Sequence, residues 1–139
     1  MAAPRGIRRD VVDHALTRRA ALADLAAGRV SRLEACDASP YLQRAAQLLG
    51  ARTDRPCPVC RREPLWEVLW VYGAALGDAD GSARTAGQVA ALAGERPDFA
   101  VYEIEVCLAC GWNHLARTWR AGTTGTAPAR RSRRSVADP

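Results

Sequence analysis

The spacing of apolar residues near the start of the chain predicts a helix over residues 7–27. Its apolar positions recur every three or four residues, and arginine and aspartate fill many of the positions between them. Gly28 follows where such a helix would end. His14 would lie on this helix beside Asp10 and Arg18, where it needs no special role.

Two further start signals predict short helices. Ser31 and Glu34 form an S-x-x-E capping box, in which each side chain satisfies a free backbone N–H of the first turn. Ser39 is followed by a proline, a pair typical of a helix start, and Gly50 ends the apolar pattern after it. We therefore expect residues 1–55 to be a helical N-terminal region.

Beyond a polar linker at 51–56 the pattern changes to that of strands. Residues 65–72, 100–106 and 113–119 are rich in aromatic and β-branched residues and predict an antiparallel sheet. We expect four tryptophans to lie in the core of this part rather than to stack on bases: Trp66, Trp70, Trp112 and Trp119. Glu103 and Glu105 alternate along the second strand, and we expect them to face solvent.

The stretch 73–99 predicts an insertion between the first two strands. It begins with glycine-rich, acidic turns, and Thr85 and Gln88 then form the capping box of a short helix that Gly94 ends. A catalytic site in this insertion would use Asp78, Asp80 or Glu95, but turn geometry already accounts for acidic residues of this kind.

Two C-x-x-C pairs carry the strongest chemical signal, and they consist of Cys57, Cys60, Cys107 and Cys110. Such a turn directs two thiolates at one tetrahedral ion, and Gly111 follows the second pair where the turn favours positive φ. The 46 residues between the pairs exceed the roughly 15–20 of compact sites, which the insertion explains. We expect one structural Zn²⁺ in a zinc-ribbon-like domain over 56–120, and iron held by the same four ligands is the alternative.

Two other residues bear on this site. Cys36 stands apart in the helical part and is expected to be a small buried hydrophobe. His114 follows Cys110 by four residues, and we expect it to form a hydrogen bond near the turn rather than to replace a cysteine ligand.

Residues 121–139 predict a disordered basic tail, because they contain almost no bulky apolar residue. Its candidate phosphate contacts are Arg130, Arg131, Arg133 and Arg134. The chain has a formal net charge of +5, and the tail's four arginines and one aspartate contribute +3 of it. Four thiolates around a zinc dication would cancel the remaining +2. A generally basic nucleic-acid surface on the folded body is therefore not expected.

Several classes of protein are disfavoured by the composition and by the motifs that the sequence lacks. The sequence contains no membrane-length apolar run and no secretory signal, so we expect a cytoplasmic location. It also contains no catalytic triad, phosphate-binding glycine loop or H-E-x-x-H motif. Disulfide exchange at Cys57 and Cys60 is disfavoured, because redox C-x-x-C motifs precede a helix and this one precedes a strand.

Several short motifs between residues 36 and 122 together match a known family. They are Cys36-Asp37-Ala38 with Pro40, Cys57-Pro58-Val59-Cys60, Val71-Tyr72-Gly73, Val101-Tyr102, Glu105-Val106-Cys107 and Cys110-Gly111-Trp112-Asn113-His114-Leu115. In these motifs the chain resembles actinobacterial proteins of the domain-of-unknown-function family numbered 5318. The resemblance implies a zinc-ribbon protein and supplies no reaction.

We expect a non-enzymatic interaction module that contacts the transcription or translation machinery. Its partner would be a protein or a ribonucleoprotein, with nucleic acid contacted through the tail. Two alternatives remain: a thiolate-metal redox or electron-transfer protein, and a metal-stabilised enzyme. Zinc ribbons occur in many settings, so the fold alone does not decide among them.

Overall fold

The structure is a computed structural model that describes residues 8–126 of the 139-residue chain. It combines helices with an antiparallel sheet, which confirms the predicted α+β class. The strands are β1 (Arg9–Asp13), β2 (Ala51–Pro56), β3 (Pro64–Tyr72), β4 (Ser82–Arg84), β5 (Phe99–Val106) and β6 (Asn113–Ala121). The helices are α1 (Ala15–Ala26), α2 (Arg32–Ala35), α3 (Pro40–Leu49) and α4 (Ala86–Glu95), with 3₁₀ turns at Ala74–Ala79 and Thr123–Thr126.

All six strands found within residues 8–126 join one sheet in the order β1-β6-β5-β3-β2, and β4 pairs with β3 beside this path. Strand β3 pairs with β5 from Trp66 opposite Val106 to Tyr72 opposite Ala100. The sheet takes strands from both sides of residue 55, so the N-terminal region and the cysteine-bearing region share it.

In the described part of the chain, the core consists of three clusters that pack against the sheet. One packs Val71, Val101 and Trp119 against Val89 of α4. A second packs Val68 and Trp70 against α3, and the third surrounds the cysteines beneath α1; its buried members are Cys57, Leu65, Cys107 and Trp112. Three of the four tryptophans are thus buried, as predicted, and Trp66 is half-buried.

The capping residues predicted from the sequence are confirmed for three helices. Ser31 and Glu34 form the capping box of α2, and Thr85 and Gln88 form that of α4. The Ser39 side chain caps α3 and Pro40 begins it, as predicted. Gly94 does not end α4, which continues to Glu95.

The prediction of a helix over residues 7–27 is wrong for the first part of this range. Residues 9–13 form β1, which pairs with the outer edge of β6, and the helix begins only at Ala15. Two adjacent β-branched residues, Val11 and Val12, favour a strand, and β6 supplies the backbone partners. The Asp13 side chain then accepts a 2.8 Å hydrogen bond from the N–H of Ala15. His14 occupies the N-cap position instead of a helical face.

The polar linker predicted at 51–56 is also wrong, because these residues form the edge strand β2 against β3. Most of its side chains are exposed, so its polar sequence suits an edge strand. The N-terminal region is therefore not wholly helical. Gly50 follows the last residue of α3. A larger residue would not fit there, because its Cβ would lie 2.6 Å from the carbonyl oxygen of Ala46.

The disorder predicted for 121–139 is wrong for its first residues. Ala121 ends β6 and is buried, and the N–H of Thr123 donates to the carbonyl oxygen of Arg96 at 2.8 Å. Gly122 permits this contact, because a Cβ there would lie 2.6 Å from the carbonyl oxygen of Pro97. Residues 127–139, with the four tail arginines, lie outside the described part of the chain.

Candidate metal centre

Two β-hairpins carry the four paired cysteines. The C-x-x-C turn at Cys57 and Cys60 joins β2 to β3, and the turn at Cys107 and Cys110 joins β5 to β6. Since the beginning of β3 pairs with the end of β5, both turns lie at the same end of the sheet. The strand pairing thus brings together two cysteine pairs that are separated by 46 residues of the sequence.

The two turns have the same backbone form. The N–H of Arg61 donates to the carbonyl oxygen of Cys57 at 3.1 Å, and that of Gly111 donates to Cys107 at 3.0 Å. The residue after each pair has positive φ, with values of 57° at Arg61 and 90° at Gly111. The positive φ predicted for the glycine is confirmed, while the first turn places an arginine in the same, less favourable conformation.

The four sulfur atoms form one cluster in which all lie within 4.8 Å of one another. The Sγ atoms of Cys57 and Cys110 are 3.7 Å apart, and those of Cys60 and Cys107 are 3.6 Å apart. Tetrahedral metal–sulfur bonds of about 2.3 Å require sulfur separations of about 3.8 Å. The cysteines are therefore close enough together to hold one metal ion.

Backbone N–H groups point at every sulfur of this cluster. Cys57 Sγ accepts from the N–H of Val59, and Cys60 Sγ from that of Arg62, both at 3.4 Å. In the second turn Cys107 Sγ accepts from the N–H of Cys110 at 3.5 Å, and Cys110 Sγ accepts from Trp112 at 3.4 Å. Such donors stabilise thiolates and fix the direction of their lone pairs.

The surroundings of the cluster change the pKa values of three of its thiols. Burial raises the pKa of Cys107 and of Cys110. At Cys60 burial acts in the same direction, but hydrogen bonds from the Arg62 N–H and from the Cys107 thiol outweigh it and lower the pKa to about 6. The protein alone thus favours the thiolate at Cys60 and the neutral thiol at Cys107 and Cys110, and a bound cation would bring these last two into the ligand form.

The other candidate residues have different surroundings. Cys36 lies beside the cluster, with its sulfur 3.7 Å from that of Cys110, and is half-buried. His114 is not a member of the four-sulfur group, because its Nδ1 lies 2.8 Å from the carbonyl oxygen of Leu115 and its ring stacks on Trp112. Asp78, Asp80 and Glu95 are exposed.

Glu103 and Glu105 are not solvated as expected but buried, with Glu105 only 1 % exposed. Glu105 Oε2 accepts from the Nε of Arg18 at 2.7 Å and from the indole Nε1 of Trp112 at 2.8 Å. Glu103 accepts from Arg117 at 2.8 Å. Sequence reasoning missed this network, and its one local signal was that both carboxylates share a strand face with the apolar Val101.

Glu105 also lines a charged cleft that is formed by residues of α1 and of the strands β1, β2, β3, β5 and β6. Its volume is about 370 Å³. Its charged lining residues are Asp13, Arg18, Arg55, Glu67, Glu105 and Arg117. His14 also lines it, and its Nε2 is buried with no hydrogen-bond partner in the described part of the chain.

Fold and site together define an α+β protein whose two cysteine hairpins form a cluster that can hold a metal ion. The chain belongs to the family of unknown function DUF5318, whose model matches residues 6–135. This match extends beyond residue 122, where the resemblance described above ends. The uncharacterized proteins Mb0050 of Mycobacterium bovis and Rv0049 of Mycobacterium tuberculosis are each 46% identical to this chain over 111 residues.

The aligned region covers 80% of this chain and 81% of each mycobacterial relative. No solved structure matches the chain. Within residues 8–126, none of the helices combines the length and the apolar character needed to cross a membrane.

Proposed function

We propose that the protein binds one structural zinc ion and serves as a non-enzymatic interaction module in the cytoplasm, on a partner from the transcription or translation machinery. The observation that carries the metal assignment is the sulfur cluster of Cys57, Cys60, Cys107 and Cys110. Its separations of 3.6 and 3.7 Å fit a thiolate tetrahedron, and four protein ligands leave no coordination position for a substrate. A closed site of this kind stabilises a fold.

Zinc is favoured by the donor set, because a saturated thiolate tetrahedron suits a metal with no geometric preference of its own. In this proposal the two cysteine hairpins form an enlarged zinc ribbon, with β1 and β4 extending its sheet. An iron ion would use the same four sulfurs and would make the chain an electron-transfer protein. The two metals differ in colour, so a visible spectrum separates them.

The experiment is metal analysis of the full chain with circular dichroism before and after chelation. We expect one zinc per chain, no visible colour and loss of the strand signal on chelation, since a structural zinc contributes on the order of 10 kcal/mol to folding. Cys107→Ser should abolish zinc binding, while Cys36→Ser, the matched control outside the tetrahedron, should retain it. A metal-free protein with its full strand signal would overturn the structural role.

The interaction role is supported by exposed aromatic side chains on one face of the sheet, which we call the tyrosine face (Tyr41, Tyr72 and Tyr102). Tyr72 and Tyr102 form an edge-to-face pair with ring centroids 5.0 Å apart, and Tyr41 packs on the buried Trp70 beside them. Their exposures are 69%, 41% and 38% for Tyr41, Tyr72 and Tyr102. Aromatic residues that are both rigid and exposed are typical of interface centres.

Charge favours a protein over nucleic acid as the partner of this face. Residues 8–126 contain 15 arginines and 14 acidic residues, which gives +1. Zinc adds two positive charges and four thiolates add four negative ones, which brings the total to −1. Contact with nucleic acid would then depend on Arg130, Arg131, Arg133 and Arg134 in the tail.

The charged cleft fits a structural role better than a catalytic one. The two glutamates that line it form ion pairs, Glu105 with Arg18 and Glu67 with Arg55, both at 2.7 Å. The nearby Glu103 pairs with Arg117 at 2.8 Å. Each of these carboxylates therefore has an oxygen atom occupied by an arginine side chain. This pairing supports the non-enzymatic proposal.

A further inference from the structure

A fifth sulfur lies against the proposed zinc site. Cys36 is the C-cap residue of α2, and its Sγ is 3.7 Å from the Sγ of Cys110. It is not one of the four cysteines whose sulfurs all lie within 4.8 Å of one another. The chain has five cysteines, so a zinc ion held by the other four leaves Cys36 as the one uncoordinated thiol.

The position of Cys36 is fixed by hydrogen bonds from its neighbours to the second cysteine turn and to the start of β6. The N–H of Ala38 donates to the carbonyl oxygen of Gly111 at 3.0 Å, and the Asn113 side chain donates to Asp37 at 2.9 Å. A Cβ on Gly111 would lie 2.8 Å from the carbonyl oxygen of Cys36. This segment is therefore docked closely on the turn that contains Cys110, and the sulfur contact follows from that docking.

We propose that Cys36 and Cys110 are a peroxide-sensitive thiol pair, and that their oxidation to a disulfide releases the metal ion; this inference rests on the proposed zinc site. The Cys36 thiol attacks hydrogen peroxide, which gives a sulfenic acid and one water molecule. The Cys110 thiolate then attacks the sulfenic sulfur, forms the S–S bond and expels hydroxide. Two electrons pass from the two sulfurs to the peroxide, and the ion loses one of its four ligands.

The geometry favours this pair over the others in the cluster. Cys57 also lies 3.7 Å from Cys110, but in the zinc-bound protein both of those sulfurs are ligands, and the ion holds them apart. Cys36 donates no electron pair to the ion and is half-buried, so it stays nucleophilic and within reach of a small oxidant. Side-chain rotation must bring its sulfur from 3.7 Å to the bonding distance of about 2.05 Å.

The test treats the zinc-loaded full chain with hydrogen peroxide, while a chromogenic chelator reports zinc release and peptide mapping locates the disulfide. We expect release to coincide with a Cys36–Cys110 crosslink, and a thiol reductant with added zinc to restore the starting protein. The variants Cys36→Ser and Cys36→Ala should bind one zinc per chain and release it at least about tenfold more slowly, since the first thiol to react is missing.

Several results would overturn the inference. Equal release rates in the Cys36 variants would do so, as would a crosslink between Cys57 and Cys60 or between Cys107 and Cys110. If either variant fails to fold, the disulfide map of the wild-type chain still tests the proposal, because it shows whether Cys36 and Cys110 are the residues that crosslink. Absence of zinc from the untreated chain would contradict the proposed function as well, whereas bound zinc with Cys36-independent release contradicts the thiol pair alone.

Discussion

The indole Nε1 of Trp112 donates a 2.8 Å hydrogen bond to Oε2 of Glu105, and this contact joins the second cysteine turn to the centre of the sheet. The backbone N–H of the same tryptophan donates to the sulfur of Cys110. Glu105 also binds Arg18 of α1, so the helix, the sheet and the candidate metal centre meet at one buried carboxylate. Trp112 thus contributes to packing, to the sulfur environment and to the satisfaction of a buried charge.

The first prediction concerns this bond. Trp112→Phe should lower the free energy of unfolding by about 1 kcal/mol more than Trp70→Phe, because hydrogen bonds to charged groups are worth roughly 1.5–3 kcal/mol against about 1 for neutral ones. Trp70→Phe is the matched control, because it removes a similar ring volume. It also removes a hydrogen bond to a neutral acceptor, which the Trp70 Nε1 donates to the carbonyl oxygen of Gly81 at 3.1 Å. Urea unfolding of the zinc-loaded variants measures both losses, and equal values would contradict a special role for Glu105.

The second prediction concerns the pH dependence of stability at Glu67. Burial and the neighbouring Glu103 raise the pKa of Glu67 above its ordinary value of 4.5, and they outweigh the ion pair with Arg55. A carboxyl whose pKa is raised on folding contributes stability that is fully present below its unfolded pKa and is lost as pH rises through the folded value. Wild type should therefore lose stability relative to Glu67→Gln as the pH rises from the ordinary pKa of 4.5 toward neutrality.

The measurement is urea unfolding of both zinc-loaded proteins across this range. Repeating it in a Glu103→Gln background should weaken the trend, because the second cause of the raised pKa is then removed. If wild type instead gains stability over Glu67→Gln as pH rises, the ion pair with Arg55 dominates and the interpretation is wrong.

The third prediction separates backbone strain from close contact at Gly111. Its φ is 90°, and an added Cβ would lie 2.8 Å from the carbonyl oxygen of Cys36. Gly81 has a φ of 77° but no atom within 4 Å of an added Cβ, which makes it the matched control. Gly81→Ala should cost about 1 kcal/mol from the left-handed backbone alone, and Gly111→Ala about 1–3 kcal/mol more from the contact. Similar losses in denaturant unfolding would mean that the Cys36 segment is not closely docked.

Local signals were sufficient for the features that short stretches of sequence determine by themselves. The C-x-x-C spacing predicted the four cysteines that the structure brings together, because each turn directs both of its sulfurs to one side. The capping residues Ser31, Ser39 and Thr85 marked three helix starts correctly, since a cap depends on residues only three positions away.

Features that depend on partners distant in sequence were not predictable in the same way. Strand β2 has the polar composition of a linker and becomes a strand because β3 offers an edge to it. Val11 and Val12 lie in a helical pattern, yet pairing with β6 outweighs that pattern. The contact between Glu105 and Arg18 joins residues 87 positions apart, and the side-chain pattern of either segment alone does not indicate it.

The last prediction tests which surface engages a partner. In the full zinc-loaded chain, Tyr72→Ala with Tyr102→Ala should abolish capture of a protein partner from native cell extract, because the pair supplies exposed aromatic area beside a rigid sheet. Leu33→Ala removes another exposed apolar side chain, on α2, and is the matched control that should capture normally. The fold should survive the double change, since both tyrosines are more than one-third exposed.

A variant without the tail tests the other surface, because it keeps the tyrosine face and removes the arginine cluster. It should begin at Ala127, because residues up to 126 are part of the structure described here. The shortened chain should still capture the protein partner but lose nucleic-acid affinity, and that affinity should fall steeply with salt in the intact chain because arginine–phosphate contacts release counterions. Nuclease treatment of the extract separates the two modes. Capture that survives the tyrosine changes and disappears with the tail would assign recognition to the arginine cluster and refute the role of the tyrosine face.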